Sequence, residues 1–132
     1  MFLSAVGEAL RKALEAAALR QRVIAHNLAN ANTPGFKRYY VTFEESLKRA
    51  LRGEQELRLY QTHSWHLPGS GPEVEARVEQ DRFTTMRQDG NNVDIEREMV
   101  ELVMNSLNYN LAVQQLNGRL GMWRYVINEG RR

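Results

Sequence analysis

The chain contains no cysteine in its 132 residues. Disulfides, thiolate metal sites and a cysteine nucleophile are therefore excluded. No apolar run approaches the ~18–20 residues of a membrane span. The N-terminal stretch lacks the basic, apolar, then small-residue layout of a cleaved signal peptide, and Glu8 and Glu15 interrupt it. Neither sign of charge dominates: 18 Lys+Arg face 16 Asp+Glu, a net of +2. The basic excess of the first 38 residues comes from Arg11, Lys12, Arg20, Arg22, Lys37 and Arg38. These stand in separated pairs, which suits solvated helix surfaces and not a polyanion-binding arm, so no nucleic-acid partner is expected. With 42% hydrophobic and 26% charged residues, the composition is that of an ordered chain, and the length fits one subunit.

Catalytic and metal chemistry find little support. Of 3 histidines, two lie in His63-Ser64-Trp65-His66. That stretch reads as extended, with no third ligand evident, so a loop with one His packed on Trp65 is expected and not a zinc site. Ser4, Ser46, Ser64, Ser70 and Ser106 lack a nucleophile-elbow setting. Gly69-Ser70-Gly71 is too short for a phosphate cradle. Glu96, Glu98 and Glu101 read as a helix start and not as acid–base groups. No catalytic residue, cofactor, metal or small-molecule substrate is expected.

The sequence does carry long helical stripes. Leu3, Val6, Leu10, Leu14, Ala17, Ile24, Leu28 and Ala31 recur at intervals of three and four, and only Gln21 interrupts them. Alanines at positions 5, 13, 16, 17, 18 and 25 add helix propensity. Asn30-Ala31-Asn32-Thr33-Pro34-Gly35 ends this helix, because Pro34 cannot extend it and Gly35 supplies a turn. Near the C-terminus, Ile95, Met99, Leu102, Ser106, Tyr109, Val113, Leu116, Leu120, Trp123 and Ile127 alternate by four and three. That is the coiled-coil period. Gly118 and Gly121 weaken the helix without breaking the stripe.

Between the stripes, Thr42-Phe43-Glu44-Glu45 has the form of a capping box before a short helix over about residues 43–52, with Gly53 as its stop. Leu57–Tyr60 and Val74–Val78 alternate as short strands do. Asp89-Gly90-Asn91-Asn92 is turn chemistry before the last helix. The resulting division is a helical core of residues 1–35 and 92–130 and a middle segment of 36–91.

Length and charge set the architecture. Helices over 93–128 and 3–31 would span roughly 54 and 44 Å, whereas a compact chain of this size is about 36 Å across. An elongated, mainly α-helical hairpin is expected, with its stripes packed on each other or on other subunits. Acidic Asp94, Glu96, Glu98 and Glu101 open the last helix, and Arg20 and Arg22 stand late in the first. Antiparallel pairing brings these opposite charges together. The alternative is an amphipathic first helix lying on a membrane surface; the matching stripe on the last helix favours a protein partner.

One string goes further. Ala25-His26-Asn27-Leu28-Ala29-Asn30-Ala31-Asn32-Thr33-Pro34-Gly35-Phe36-Lys37 resembles the N-terminal signature of bacterial flagellar axial proteins, the rod, hook and hook-junction subunits. Asn27 and Asn30 can bond carbonyls freed as the helix ends. Thr33, Pro34 and Gly35 fix the exit direction, Phe36 can pack back on the helix as an apolar anchor, and Leu28 and Ala29 belong to the same string. Leu59-Tyr60-Gln61-Thr62, His66-Leu67-Pro68, Asp89–Glu98 and Asn105–Tyr109 are similar to features of the proximal rod subunits. Phe36 departs from a common tyrosine and Asn32 from an acidic residue. The resemblance implies a torque-transmitting structural subunit that self-assembles beside other rod subunits. It also implies contact with the protein joining MS ring to rod, and export by the flagellar type III apparatus without a cleaved signal to the periplasmic rod near the inner membrane. N- and C-terminal helices pair in such proteins, which makes Leu3, Val6, Leu10, Leu14, Ile24, Leu28, Ile95, Met99, Leu102, Tyr109, Val113, Leu116, Leu120, Trp123 and Ile127 the expected packing interface.

Overall fold

A computed structural model of the protein describes residues 5–52 and 75–128. Five elements follow one another: α1 (Ala5–Ala29), β1 (Tyr39–Thr42), α2 (Glu44–Arg52), β2 (Arg77–Gln80) and α3 (Ile95–Ile127). The fold is mainly helical, as the stripes predict. Helix α1 runs through its alanines and stops one turn before Pro34. Helix α3 opens on Asp94, whose carboxylate accepts from the backbone N–H of Glu96 and Arg97 and so satisfies two donors of the first turn.

The two long helices are antiparallel. Asn27, near the end of α1, bonds Glu98, near the start of α3. Farther along, Asn105 Nδ2 donates to the Ala17 carbonyl at 2.9 Å and to Gln21 Oε1 at 3.0 Å. This is the orientation the charge distribution anticipates. Gln21, the break in the α1 stripe, sits where α3 presents its own polar residue.

Two local expectations need correction. Thr42 does not cap α2: it ends β1, and its hydroxyl donates to Glu79 across the sheet. Strand pairing takes the residue before the helix can use it, and Glu44 Oε2 accepts from the Phe43 N–H instead. The strand expected at Val74–Val78 runs Arg77–Gln80 and pairs antiparallel with β1, Tyr39 opposite Gln80 and Val41 opposite Val78. Leu57–Tyr60, the His63–His66 cluster, Leu3 and Val74 lie outside the described residues.

The buried apolar residues are Ala16, Ala17, Val23, Ile24, Ala31, Val41, Phe43 and Val93. They gather where the second half of α1 meets β1 and the lead-in to α3. Farther along, Leu10 and Leu14 of α1 and Val113 and Leu116 of α3 are half-buried, and the chain is exposed from Gly121 to Asn128.

Candidate functional site

The densest polar packing lies where α1 ends, β1 begins and α3 starts. Three asparagines organise it. Asn27 is fully buried. Its side chain treats Tyr39 as a neighbouring strand would, accepting from the Tyr39 N–H at 3.0 Å and donating to the Tyr39 carbonyl at 2.7 Å. The same amide donates to Glu98 Oε2 at 3.0 Å, so one residue ties both long helices to β1.

Asn91 closes the end of α1. Its Nδ2 faces the carbonyls of Asn30, Ala31 and Thr33 at 3.2, 3.1 and 2.9 Å, and its Oδ1 accepts from the Val93 N–H at 2.7 Å. A helix end leaves carbonyls without intrahelical partners, and a buried end must find others. Asn30 bonds back to the His26 carbonyl at 2.9 Å, and Arg87 reaches the Ala31 carbonyl. Asn92 serves the next segment: it accepts from the Arg38 N–H at 2.6 Å and donates to the Asp81 carbonyl and the Thr84 hydroxyl.

The two turns dock on each other through glycine. Gly35 has φ +71° and Gly90 φ +85°, the left-handed region where a Cβ is strained. A Cβ on Gly90 would stand 3.7 Å from Gly35 Cα, and the Gly35 N–H donates to the Asp89 carbonyl at 2.9 Å. Phe36 then packs edge-on against His26, ring centroids 5.5 Å apart, with Tyr39 at 5.9 Å from both rings.

An ion-pair cluster completes the junction. Arg38 Nε donates to fully buried Glu98, and Arg38 Nη2 donates to Glu101 at 2.6 Å. Burial works against the Arg38 charge. Hydrogen bonds and proximity to Glu98 and Glu101 outweigh it and raise the guanidinium pKa above its ordinary value. Both Glu98 oxygens are engaged, one by Arg38 and one by Asn27, so the buried carboxylate connects β1 and the two long helices.

Asn27, Asn30, Thr33, Pro34, Gly35 and Phe36 of the signature therefore meet at one junction, with Leu28 half-buried and Ala29 exposed beside them. Arg38, Asn91, Asn92 and Glu98 complete it. In the sequence alone, Glu98 marks a helix start and Arg38 one of a pair of basic residues. Only the fold brings residues some 60 positions apart together.

Along the helices, Ile24 is buried, and Leu10, Leu14, Leu28, Leu102, Val113 and Leu116 are half-buried. Val6, Ile95, Met99, Tyr109, Leu120, Trp123 and Ile127 are exposed. The seam on α3 passes through Glu98, Leu102, Asn105 and Leu116: it keeps Leu102, Val113 and Leu116 of the apolar stripe and adds the polar Glu98 and Asn105. Its fully buried members are polar. The opposite face carries Val100, Val103, Met104, Leu107 and Leu111, each more than half exposed. Helix α3 thus carries a second apolar face, turned away from α1.

Among the described residues no group of three or more His, Cys, Asp or Glu is placed to hold a metal ion. No described helix is long and apolar enough to cross a membrane. An open groove of about 320 Å³ lies between α1 and the sheet, lined by Leu19, Arg22, Val23, His26, Tyr39 and Val78.

The family described as flagella basal body rod protein matches residues 8–37, which cover most of α1 and the turn after it. The chain is similar to the flagellar basal body rod protein FlgB of Bacillus subtilis, 32% identical over 92% of each chain. It is 31% identical to FlgB of Escherichia coli over 91% of each. It is 39% identical to FlgB of Borreliella burgdorferi over 74% of this chain and 77% of that one.

Proposed function

The chain belongs to the FlgB family of flagellar basal body rod proteins, and from that premise we propose that it is a structural subunit of the proximal rod, burying α3 among neighbours and passing torque through packed helices. The observation that carries this reading is the apolar character of α3 on both faces. A helix with apolar side chains on two opposite faces has more apolar surface than one partner helix can cover. Here α1 covers one side only, and Val100, Met104, Leu107 and Leu111 remain open on the other. Each such side chain contributes ~1.5–3 kcal/mol when buried.

In this reading the partners are copies of the chain, other rod subunits, the protein joining ring to rod, and the export apparatus that delivers the chain to the periplasmic side of the inner membrane. The chain performs no catalysis. The signature junction fixes the angle at which the middle segment leaves the helical pair, and the open faces of α3 supply the assembly energy.

The test is electron microscopy of basal bodies from a strain lacking the gene, with swimming scored alongside. Rings without rods, restored by the intact gene, are expected. Leu107→Asp, on the open face, should fail to restore rods, although the purified variant unfolds at the same denaturant concentration as the parent. Leu102→Asp and Leu116→Asp, on the α1 side, should fail in both respects, whereas a polar replacement of His63 should restore rods. Rods in the deletion strain, or normal flagella with Leu107→Asp, would overturn the reading.

A further inference from the structure

Among the large apolar side chains described, the most exposed is Phe83, 99% accessible on the loop after β2. Its backbone is held firmly. Asp81 Oδ1 accepts from the N–H of Phe83 and of Thr84, and Asp81 Oδ2 accepts from the Thr84 hydroxyl at 2.7 Å. Lys37 Nζ donates to the Thr84 carbonyl, Asn92 Nδ2 to the Asp81 carbonyl, and the Asp81 N–H to the Arg38 carbonyl. A bare aromatic ring on a pinned loop loses little further freedom on docking, which is how interface anchors are presented.

The same molecule carries a receptor for such an anchor. The groove beside α1 is floored by Leu19, Val23, Tyr39 and Val78, and its volume admits one aromatic side chain. Phe83 does not line the groove of its own chain. The knob's Asp81 and the groove's Arg22 are opposite in sign, while the cations Lys37 and Arg82 also stand on the knob loop. Exposed Arg22 stands at the groove without an ion pair among the described residues. Beside the knob stands the Asp81 carboxylate, held ionised below its ordinary pKa by the Thr84 hydroxyl and the Thr84 and Phe83 N–H groups.

The geometry points to a contact in which Phe83 of one copy of this chain seats in the Leu19–Tyr39–Val78 groove of the next, with Asp81 facing Arg22. The rod reading makes the contact head-to-tail, each copy giving its knob to one neighbour and its groove to the other, so that it propagates into a ring or a helical row; two copies exchanging knobs reciprocally would close as a dimer and give no ladder. The inference deepens the rod reading and rests on it: it names one surface by which successive copies meet, separate from the open face of α3.

The chain has no cysteine of its own, so introduced thiols report unambiguously. Arg82→Cys lies beside the knob, and Ala18→Cys lies on exposed α1 one turn before Arg22. In the deletion strain, the double variant treated with a short bis-maleimide should give a ladder of multimers. Each single variant alone should give none, and the two single variants expressed together should give a dimer. Adding Phe83→Ala should lower the cross-linked yield about tenfold or more. A cross-link within one chain, a dimer from Arg82→Cys alone, a ladder that survives Phe83→Ala, or no ladder in cells that build rods and swim would each overturn the contact. Rods in the strain lacking the gene would instead overturn the rod reading. The ladder from the purified, concentrated double variant then decides the contact by itself.

Discussion

At the scale of single residues, Asn91 shows how much of the junction one side chain carries. It is fully buried and supplies partners to three carbonyls and one N–H from segments 60 positions apart. Removing it leaves several buried polar groups without partners, each costing about 1–3 kcal/mol. Asn91→Ala should therefore lower stability by about 2–4 kcal/mol, read as a shift in urea midpoint with little change in slope. Asn91→Asp keeps the acceptor for Val93 but loses the donors, so it should recover only part of the loss. A change below about 0.5 kcal/mol for the alanine variant would mean that water replaces the amide.

At the scale of elements, the polar seam of α3 sets register more than stability. Asn105 is buried, and its Oδ1 lacks a hydrogen-bond partner in the structure while its Nδ2 serves Ala17 and Gln21. Polar residues in a helix seam specify alignment at the expense of stability. Asn105→Leu should raise the unfolding midpoint, by about 1 kcal/mol, and loosen the alignment. More than one set of α1 amide signals in a nuclear magnetic resonance spectrum is the expected outcome, and a single sharp set would refute it. The elements also show what a sequence can disclose. Both long helices, their antiparallel order and the turns at Gly35 and Gly90 were legible, because periodicity, proline and glycine act locally. Strand β1 was not read, although Tyr39-Tyr40-Val41-Thr42 has the aromatic and β-branched make-up of a strand. Thr42 also fits a capping box, and only the presence of β2 decides between the two. The polar members of the α3 seam were not legible for a related reason. A hydrophobic stripe marks what wants burial, not which side meets α1, and Glu98 and Asn105 look like solvent-facing residues until Arg38, Asn27 and Gln21 are brought to them.

At the scale of the whole molecule, charge couples the segments and gives the fold an acid limit. Asp81 is held below its ordinary pKa chiefly by the Thr84 hydroxyl. Glu44 is also lowered: desolvation opposes its charge, but its own backbone N–H and the Arg20 guanidinium prevail. A carboxylate depressed on folding stabilises the native state above its unfolded pKa of about 4. That contribution is lost as pH falls through the lower, folded value. Thermal stability should therefore be flat near neutrality and drop below about pH 4, and Asp81→Asn should flatten part of that drop. A profile unchanged by Asp81→Asn would remove Asp81 from the account.

The junction also dictates an order of events in time. Its bonds from Asn27 to Glu98, Gly35 to Asp89 and Ala31 to Asn91 cannot form until a loop of some sixty residues has closed, whereas those from Asn27 to Tyr39 and from Asn30 to His26 are local. Helix α1 needs only its neighbours in sequence and can wind on its own, whereas closing such a loop is a slow, entropically opposed step. A chain emerging N-terminus first would thus present a wound α1 and an unmade junction. Its exit angle would be set only when the final third of the chain has arrived.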